Sequence, residues 1–418
     1  MNSSANKLTL IQGISIGIGS IIGSGVLFLP SMTLSLAGND ALLGWVLIII
    51  LCLPGLYFLR EMVGNTTEND GIAGFIGLGL GKDLGNAIPI LLLGTVTIGM
   101  PSAAIVAGKY IQELFVTHPY VSIIVPFSMI LLTITTTLYG IKTSAKLNTL
   151  VTILLILVGL TLFLKTSNNI HQMKVPEFSY NWKNIMNSSV LAFWAFAGFE
   201  NMTFLSSNFQ NPKRDLLISA SVAIVVCGLL YLGLTFNIST LLKQEEINSS
   251  LGLMQLADFI KPAYFSKLII ALFAFFAVMV NLISWTAGIS NAIVSASKKR
   301  MLPSSLEVLK DGVPKSAILT LGCAFCISTA IGITSSEVFN SMLTLVSSNF
   351  LVIYLLSLLS YSKFTTNKIK KYISVILSIG ILIVLMSYKW LLIYPLVLIT
   401  ISIIYSKNIK PKGHLSET

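Results

Sequence analysis

Glu200 is a carboxylate set deep in a long apolar run, in the stretch Trp194-Ala195-Phe196-Ala197-Gly198-Phe199-Glu200-Asn201. A charge at the centre of a bilayer costs about 2.5–3.5 kcal/mol on insertion scales, so an acid there needs a reason. Either it lines a cavity, where it titrates or locks helices together, or it is a neutral, hydrogen-bonded structural group. A second stretch has the same character. Gly17-Ile18-Gly19-Ser20-Ile21-Ile22-Gly23-Ser24-Gly25-Val26-Leu27-Phe28-Leu29-Pro30 puts glycines and serines in the middle of an apolar run long enough to span a membrane. Irregular backbone at that depth is tolerated where it is buried in protein or lines a cavity. The spacing of Gly19 and Gly23 also suits close helix packing, which is the alternative reading. In a broken helix, the amides around Ser24, Gly25 and Val26 start a new half-helix whose positive end favours an anion such as a carboxylate. At the other interruption, carbonyls near Ala195–Gly198 can accept from an ammonium group. Together the two gaps read the zwitterion of an α-amino acid with backbone alone. Selection of its side chain then falls to apolar residues such as Trp194, Phe196, Phe199 and Trp285.

The elements that must hold these groups are membrane helices. Of 418 residues, 54% are hydrophobic and 10% charged, far below the charge content of a soluble domain. Lys7 precedes an apolar run too long for a cleavable leader, and it carries no small-residue cleavage pattern. Twelve apolar runs follow, at about 8–36, 41–62, 86–115, 120–140, 146–164, 187–208, 215–240, 265–296, 316–334, 338–361, 371–387 and 390–406. The first, third and eighth exceed what a perpendicular span needs, so tilt or breakage is expected. With the N-terminus in the cytoplasm, nineteen of the 27 lysines and arginines fall on the inner side, which favours both termini cytoplasmic. The net charge of +11 is thus a topology signal, and it requires no nucleic-acid partner. The interrupted runs are the first and the sixth. Five is odd, so a second set of five enters from the opposite side, and broken helices at matching positions of inverted halves point to a secondary transporter's binding site.

Other chemistries find little support. The four cysteines lie in apolar runs, where Cys323-x-x-Cys326 reads as packing, and the three histidines fall in loops or the tail. No His-Glu-x-x-His motif is present and no acid pair lies near the middle of a span for a membrane enzyme, and no cofactor or metal is expected. A sensor would call for a recruiting tail and a channel for a repeated polar ring, and neither is seen.

Gly23-Ser24-Gly25-Val26 with Pro30, Gly198-Phe199-Glu200 followed by Asn211-Pro212-Lys213-Arg214, and Gly140-Ile141-Lys142 with Ser144-Ala145-Lys146-Leu147-Asn148 resemble the amino acid–polyamine–organocation (APC) transporter superfamily. Ala37-Gly38-Asn39-Asp40-Ala41-Leu42, Gly71-Ile72-Ala73-Gly74-Phe75 and Gly99-Met100-Pro101-Ser102-Ala103-Ala104 are similar to its branch of bacterial exporters of L-methionine and branched-chain amino acids. The resemblance covers the whole chain. It implies an all-α polytopic protein of about twelve transmembrane helices: a 5+5 inverted repeat with helices 1 and 6 broken, plus two extra C-terminal helices. The parts would be 1–165 (helices 1–5), an outer loop 166–185, 186–361 (helices 6–10), 362–406 (helices 11–12) and a cytoplasmic tail 407–418. It implies alternating access in a bacterial inner membrane and efflux of methionine, leucine, isoleucine or valine in exchange for protons, with import or exchange of the same amino acids as the alternative. Ser24 matches the family's carboxylate-binding serine, so the implied substrate contacts are Ile21, Gly23, Ser24, Gly25, Trp194, Phe196, Ala197, Gly198, Phe199 and Trp285. Trp194, like Glu200, is also implied in gating or coupling. There are departures. Leu155 stands where proton-coupled uptake members carry a lysine, and Asn208 replaces the acid usual before Asn-Pro-Lys-Arg. Ser284, Thr286 and Ser290 offer oxygens for a sodium ion, although such residues in membrane helices usually bond to backbone.

Overall fold

The computed structural model describes residues 7–65, 71–115, 118, 120–167, 176–248, 251–260, 262–387 and 392–408. Within them the side chains of 53–65, 166–167, 194, 199, 207, 213, 263, 340, 384, 387 and 407–408 are not described, so the calls on the Trp194 and Phe199 side chains lie outside the described residues. The tail residues 409–418 do so as well.

In chain order the helices are α1 (Leu10–Ile21), α2 (Gly25–Ala37), α3 (Asp40–Asn65), α4 (Gly71–Leu80), α5 (Lys82–Gln112), α6 (Val121–Leu138), α7 (Ile141–Ser167) and α8 (Trp182–Phe193). They continue with α9 (Pro212–Leu241), α10 (Gly252–Gln255), α11 (Ala263–Lys298), α12 (Lys315–Gly332), α13 (Ser336–Phe364), α14 (Lys368–Ser387) and α15 (Ile393–Asn408). Helix covers each of the twelve apolar runs. By length and composition seven of the described helices can cross a membrane, or eight if α1 and α2 form one bent span. The eighth run, expected to tilt or break, is one continuous helix of 36 residues, α11. The third, α5, is also continuous over 31 residues and carries Pro89 and Pro101 inside it. Tilt is left to reconcile their length with a bilayer.

Two interruptions are real. Thr9 caps α1 in a capping box with Gln12, and α1 stops at Ile21 because Ile22 turns extended. Gly23 and Ser24 form the gap, α2 restarts at Gly25, and the two axes differ by 48°. In the sixth run, α8 ends at Phe193. A 3-10 turn follows over Trp194–Phe196, then Ala197 and Gly198, then a 3-10 helix over Phe199–Asn208. Gly198 has φ +130, a conformation open in practice to glycine alone.

Packing holds the interruptions at the centre. α1 lies against α9, α11 and α7, while α2 lies against α8 and α9. α5 joins α11, α6, α4, α13 and α15. Trp45 of α3 stacks on Tyr231 of α9 at 4.8 Å, and Phe196 meets both rings at 6.3–6.4 Å. Phe196, just before the second gap, is therefore fixed among helices 150 residues earlier and 35 later in the chain. α4, which the run count missed because it is short, docks on the second gap. The Ile72 amide donates to the Thr203 hydroxyl at 3.1 Å, and that hydroxyl donates to the Glu200 carbonyl at 2.6 Å. Cys323 and Cys326 are exposed on α12, not packed as the sequence led us to expect, since an i, i+3 pair on a helix of this register faces outward.

Candidate substrate site at two helix breaks

The gap between α1 and α2 leaves backbone groups without partners. Among the described residues, the amides of Gly23, Ser24, Gly25 and Val26 reach no acceptor, and Ser24 caps nothing with its hydroxyl. These four residues are buried or half-buried and stand where the positive end of α2 begins, a position that suits an anion. Tyr231 points its hydroxyl there. A Cβ added at Gly25 would sit 3.0 Å from that oxygen, which is buried and has no hydrogen-bond partner among the described residues. A buried hydroxyl without a partner costs on the order of 1–3 kcal/mol, a cost that a bound acceptor removes.

The opposite edge of the gap carries carbonyls. At the end of α1, the Ile18 carbonyl accepts from the Ile22 amide at 2.7 Å. The Gly19 carbonyl accepts from Asn281 Nδ2 at 2.8 Å. The Ser20 carbonyl accepts from Trp285 Nε1 at 3.1 Å and Asn281 Nδ2 at 3.3 Å. No donor among the described residues reaches the carbonyl of Ile21.

The second gap lies directly on the first. A Cβ at Gly198 would collide with the Ser20 carbonyl oxygen and lie 3.4 Å from the Trp285 ring. Asn201, one turn on, donates through Nδ2 to the Ser20 hydroxyl at 3.1 Å and to the Ser284 carbonyl at 2.8 Å. Glu200 is fully buried. Its Oε2 accepts from the Gly198 amide at 3.0 Å and from the Tyr354 hydroxyl at 2.8 Å, while Oε1 has no partner among the described residues. Tyr354 of α13 is held by the rings of Phe350 and Phe193. The acid thus closes the turn at Gly198 and joins it to α13.

The structure brings Gly198, with Glu200, and Trp285 against the Ser20 end of α1, Gly23 against Asn281, and Gly25 and Phe196 against Tyr231; Ile21 and Ser24 flank the first gap, and Ala197 lies in the second. Sequence reasoning missed Tyr231, Asn281, Asn201 and Tyr354. The signal available was polarity in an apolar helix: Asn281 and Tyr231 interrupt runs of aliphatic residues, yet nothing local says which way they face. The three oxygens considered for sodium do not converge. Ser284 lies well round α11 from Thr286 and Ser290 by helix geometry, and Ser290 donates instead to the Ala287 carbonyl at 2.9 Å. Leu155 is fully buried on α7. Toward the α1 N-terminus a small cavity of about 30 Å³ is lined by Thr137, Asn208, Ser290, Asn291 and Val313 among others. The Asn208 carbonyl there accepts from the Leu8 amide at 2.6 Å, closing the chain start against the end of the 3-10 helix.

A family model described as amino acid permease matches residues 8–412. The uncharacterized amino acid permease YecA of Bacillus subtilis (strain 168) is 27% identical over 234 residues, 55% of this chain and 54% of that protein. The L-methionine/branched-chain amino acid exporter YjeH of Escherichia coli (strain K12) is 26% identical over 238 residues, 56% of each chain. The match thus spans about half the length of these two relatives. A cadaverine/lysine antiporter of Escherichia coli (strain K12) is 22% identical over 395 residues, 90% of this chain and 88% of that protein.

Proposed function

The chain belongs to the amino acid permease family, and from that premise we propose that it is a secondary active transporter exporting neutral, apolar α-amino acids such as methionine and leucine. The observation that carries this reading is that four amides, Gly23 to Val26, and the Ile21 carbonyl, all without a partner among the described residues, flank one break in the helix. The amides and the Tyr231 hydroxyl take the carboxylate, and the Ile21 carbonyl takes the ammonium. Phe196, Ala197 and Trp285 bound the side chain, with Trp194 and Phe199 assigned there from sequence alone. Glu200, bonded to the backbone of the second gap, is the group through which proton exchange acts on the site.

The remaining parts of the proposal concern architecture. The reading has twelve spans as a 5+5 inverted repeat followed by α14 and α15, in a bacterial inner membrane with both termini cytoplasmic. The charge asymmetry supports this orientation. Rocking of one helix group against the other opens the site to each side in turn.

A second reading, exchange of cationic amino acids or diamines, draws on one observation: the unpartnered Oε1 of buried Glu200, an acceptor that a cationic group would satisfy. Counterflow into proteoliposomes tests both. Labelled methionine, leucine, arginine and cadaverine are compared, with and without proton and sodium gradients. Uptake of methionine and leucine that responds to the proton gradient and ignores sodium is the expected result. Uptake confined to arginine and cadaverine establishes the second reading and removes the first.

A further inference from the structure

The end of a helix leaves four carbonyls that need donors, and here their accounting is uneven. Ile18 is satisfied by the chain itself, whereas Gly19 and Ser20 are satisfied from another helix, by Asn281 and Trp285 of α11. Asn281 is nearly fully buried, and a Cβ at Gly23 would sit 2.9 Å from its Oδ1, so its amide bridges the whole gap from the end of α1 to the start of the loop. Its Nδ2 is an uncharged donor. It fills two carbonyls without cancelling the negative end of the α1 dipole, so that end remains attractive to a cation. The one carbonyl of the set left open among the described residues is that of Ile21, the last residue of α1 before the gap.

We propose that Asn281 is a positioning residue for the substrate's ammonium: by binding the Gly19 and Ser20 carbonyls it sets the last turn of α1 so that the Ile21 carbonyl alone is presented to the ligand. This rests on the reading of the gap as a zwitterion site. Asn281 borders the carboxylate seat at Gly23 but donates to the Gly19 and Ser20 carbonyls, whereas the donors of the seat are the backbone amides of Gly23–Val26 and the Tyr231 hydroxyl. Its loss should therefore harm recognition of the ammonium and spare recognition of the carboxylate, a division that a purely structural role would not produce.

The experiment uses the full chain in proteoliposomes and three competitors of leucine counterflow: leucine itself, 4-methylpentanoate, which lacks the ammonium, and 3-methylbutylamine, which lacks the carboxylate. The variants are Asn281→Leu, of similar size and without donors, and Asn281→Ser, which keeps one donor. Binding to purified protein is followed in parallel by ligand-induced thermal stabilisation, so that a variant without flux is still read. In Asn281→Leu, inhibition by leucine and 3-methylbutylamine should weaken roughly tenfold, the scale of one lost hydrogen bond to a charged group, with 4-methylpentanoate unchanged. Asn281→Ser should recover part of the loss, and it carries the test alone if the leucine variant does not accumulate. Equal weakening of all three competitors, or no change in any, overturns the assignment. A wild-type protein that ignores leucine altogether overturns the zwitterion reading itself, an outcome distinct from failure in the variants.

Discussion

Gly198 and Ser20 touch across the two helix breaks, the α-carbon of one against the carbonyl oxygen of the other, so closely that no side chain fits between them. This contact brings together two gaps that lie about 180 residues apart in the chain. It also places Glu200, through its bond to the Gly198 amide, within a single peptide of the end of α1.

Gly198→Ala should therefore be among the most damaging small substitutions. The new methyl meets the Ser20 carbonyl, and φ +130 adds strain, together costing about 1–3 kcal/mol or more. The expected outcome is lost flux with a lowered melting temperature in detergent. Flux at wild-type level would show that the breaks separate without consequence.

Gly25→Trp fills the seat formed by the Gly23–Val26 amides. A side chain at Gly25 meets Tyr231 Oη at 3.0 Å and the Leu29 side chain at 3.1 Å. Membrane insertion should persist while transport disappears. Retained counterflow in proteoliposomes rejects this seat as the carboxylate site.

Tyr231→Phe removes a buried hydroxyl that has no hydrogen-bond partner among the described residues. Stability should hold or rise slightly, since a buried unsatisfied group is gone. If the hydroxyl donates to the substrate's carboxylate, KM should rise by roughly threefold to tenfold with little change in maximal rate. Unchanged KM would remove Tyr231 from the site.

Glu200→Gln keeps an acceptor for the Gly198 amide and for the Tyr354 hydroxyl, and loses only the ability to titrate. Flux measured across the neutral pH range should become flat in the variant where the wild type varies. Identical pH profiles would leave Glu200 as a brace for the turn.

Asp40 tests a contact outside the spans. It precedes the apolar run of α3, and its carboxylate accepts from the amides of Ser179, Tyr180 and Asn181 and from the Ser179 hydroxyl. Burial alone would raise its pKa. The Ser179 hydroxyl and the three amides outweigh that and hold it below the ordinary carboxylate value. A folded-state pKa below the unfolded one contributes stability at pH above the unfolded value, and that contribution is lost as pH falls through the folded value. Asp40→Asn should thus lower the melting temperature at neutral pH, by about 1–2 kcal/mol of stability, and the gap from wild type should narrow on acidification below pH ~4. A gap independent of pH contradicts the charged-acceptor role.

Which parts of this were legible beforehand follows from range. Both breaks could be read locally, because glycine and serine in the middle of apolar runs weaken a helix wherever those runs sit, and the acid at Glu200 marks the second by its cost. The spans could be read from hydropathy, and the family from short motifs. The end of α5, the continuity of α11 and the short α4 could not be read so well, since length alone does not distinguish tilt from breakage and a ten-residue helix is too short to register as a span.

The sequence by itself determined where glycine, serine and an acid would interrupt the first and sixth apolar runs. Only the tertiary structure decided that Gly198 would lie on Ser20, that Asn281 and Trp285 would take two of the α1 carbonyls, and that Tyr231 would aim at Gly25. The reason is physical: a helix period tells which residues share a face, but the partner of that face is chosen by the packing of all the helices together.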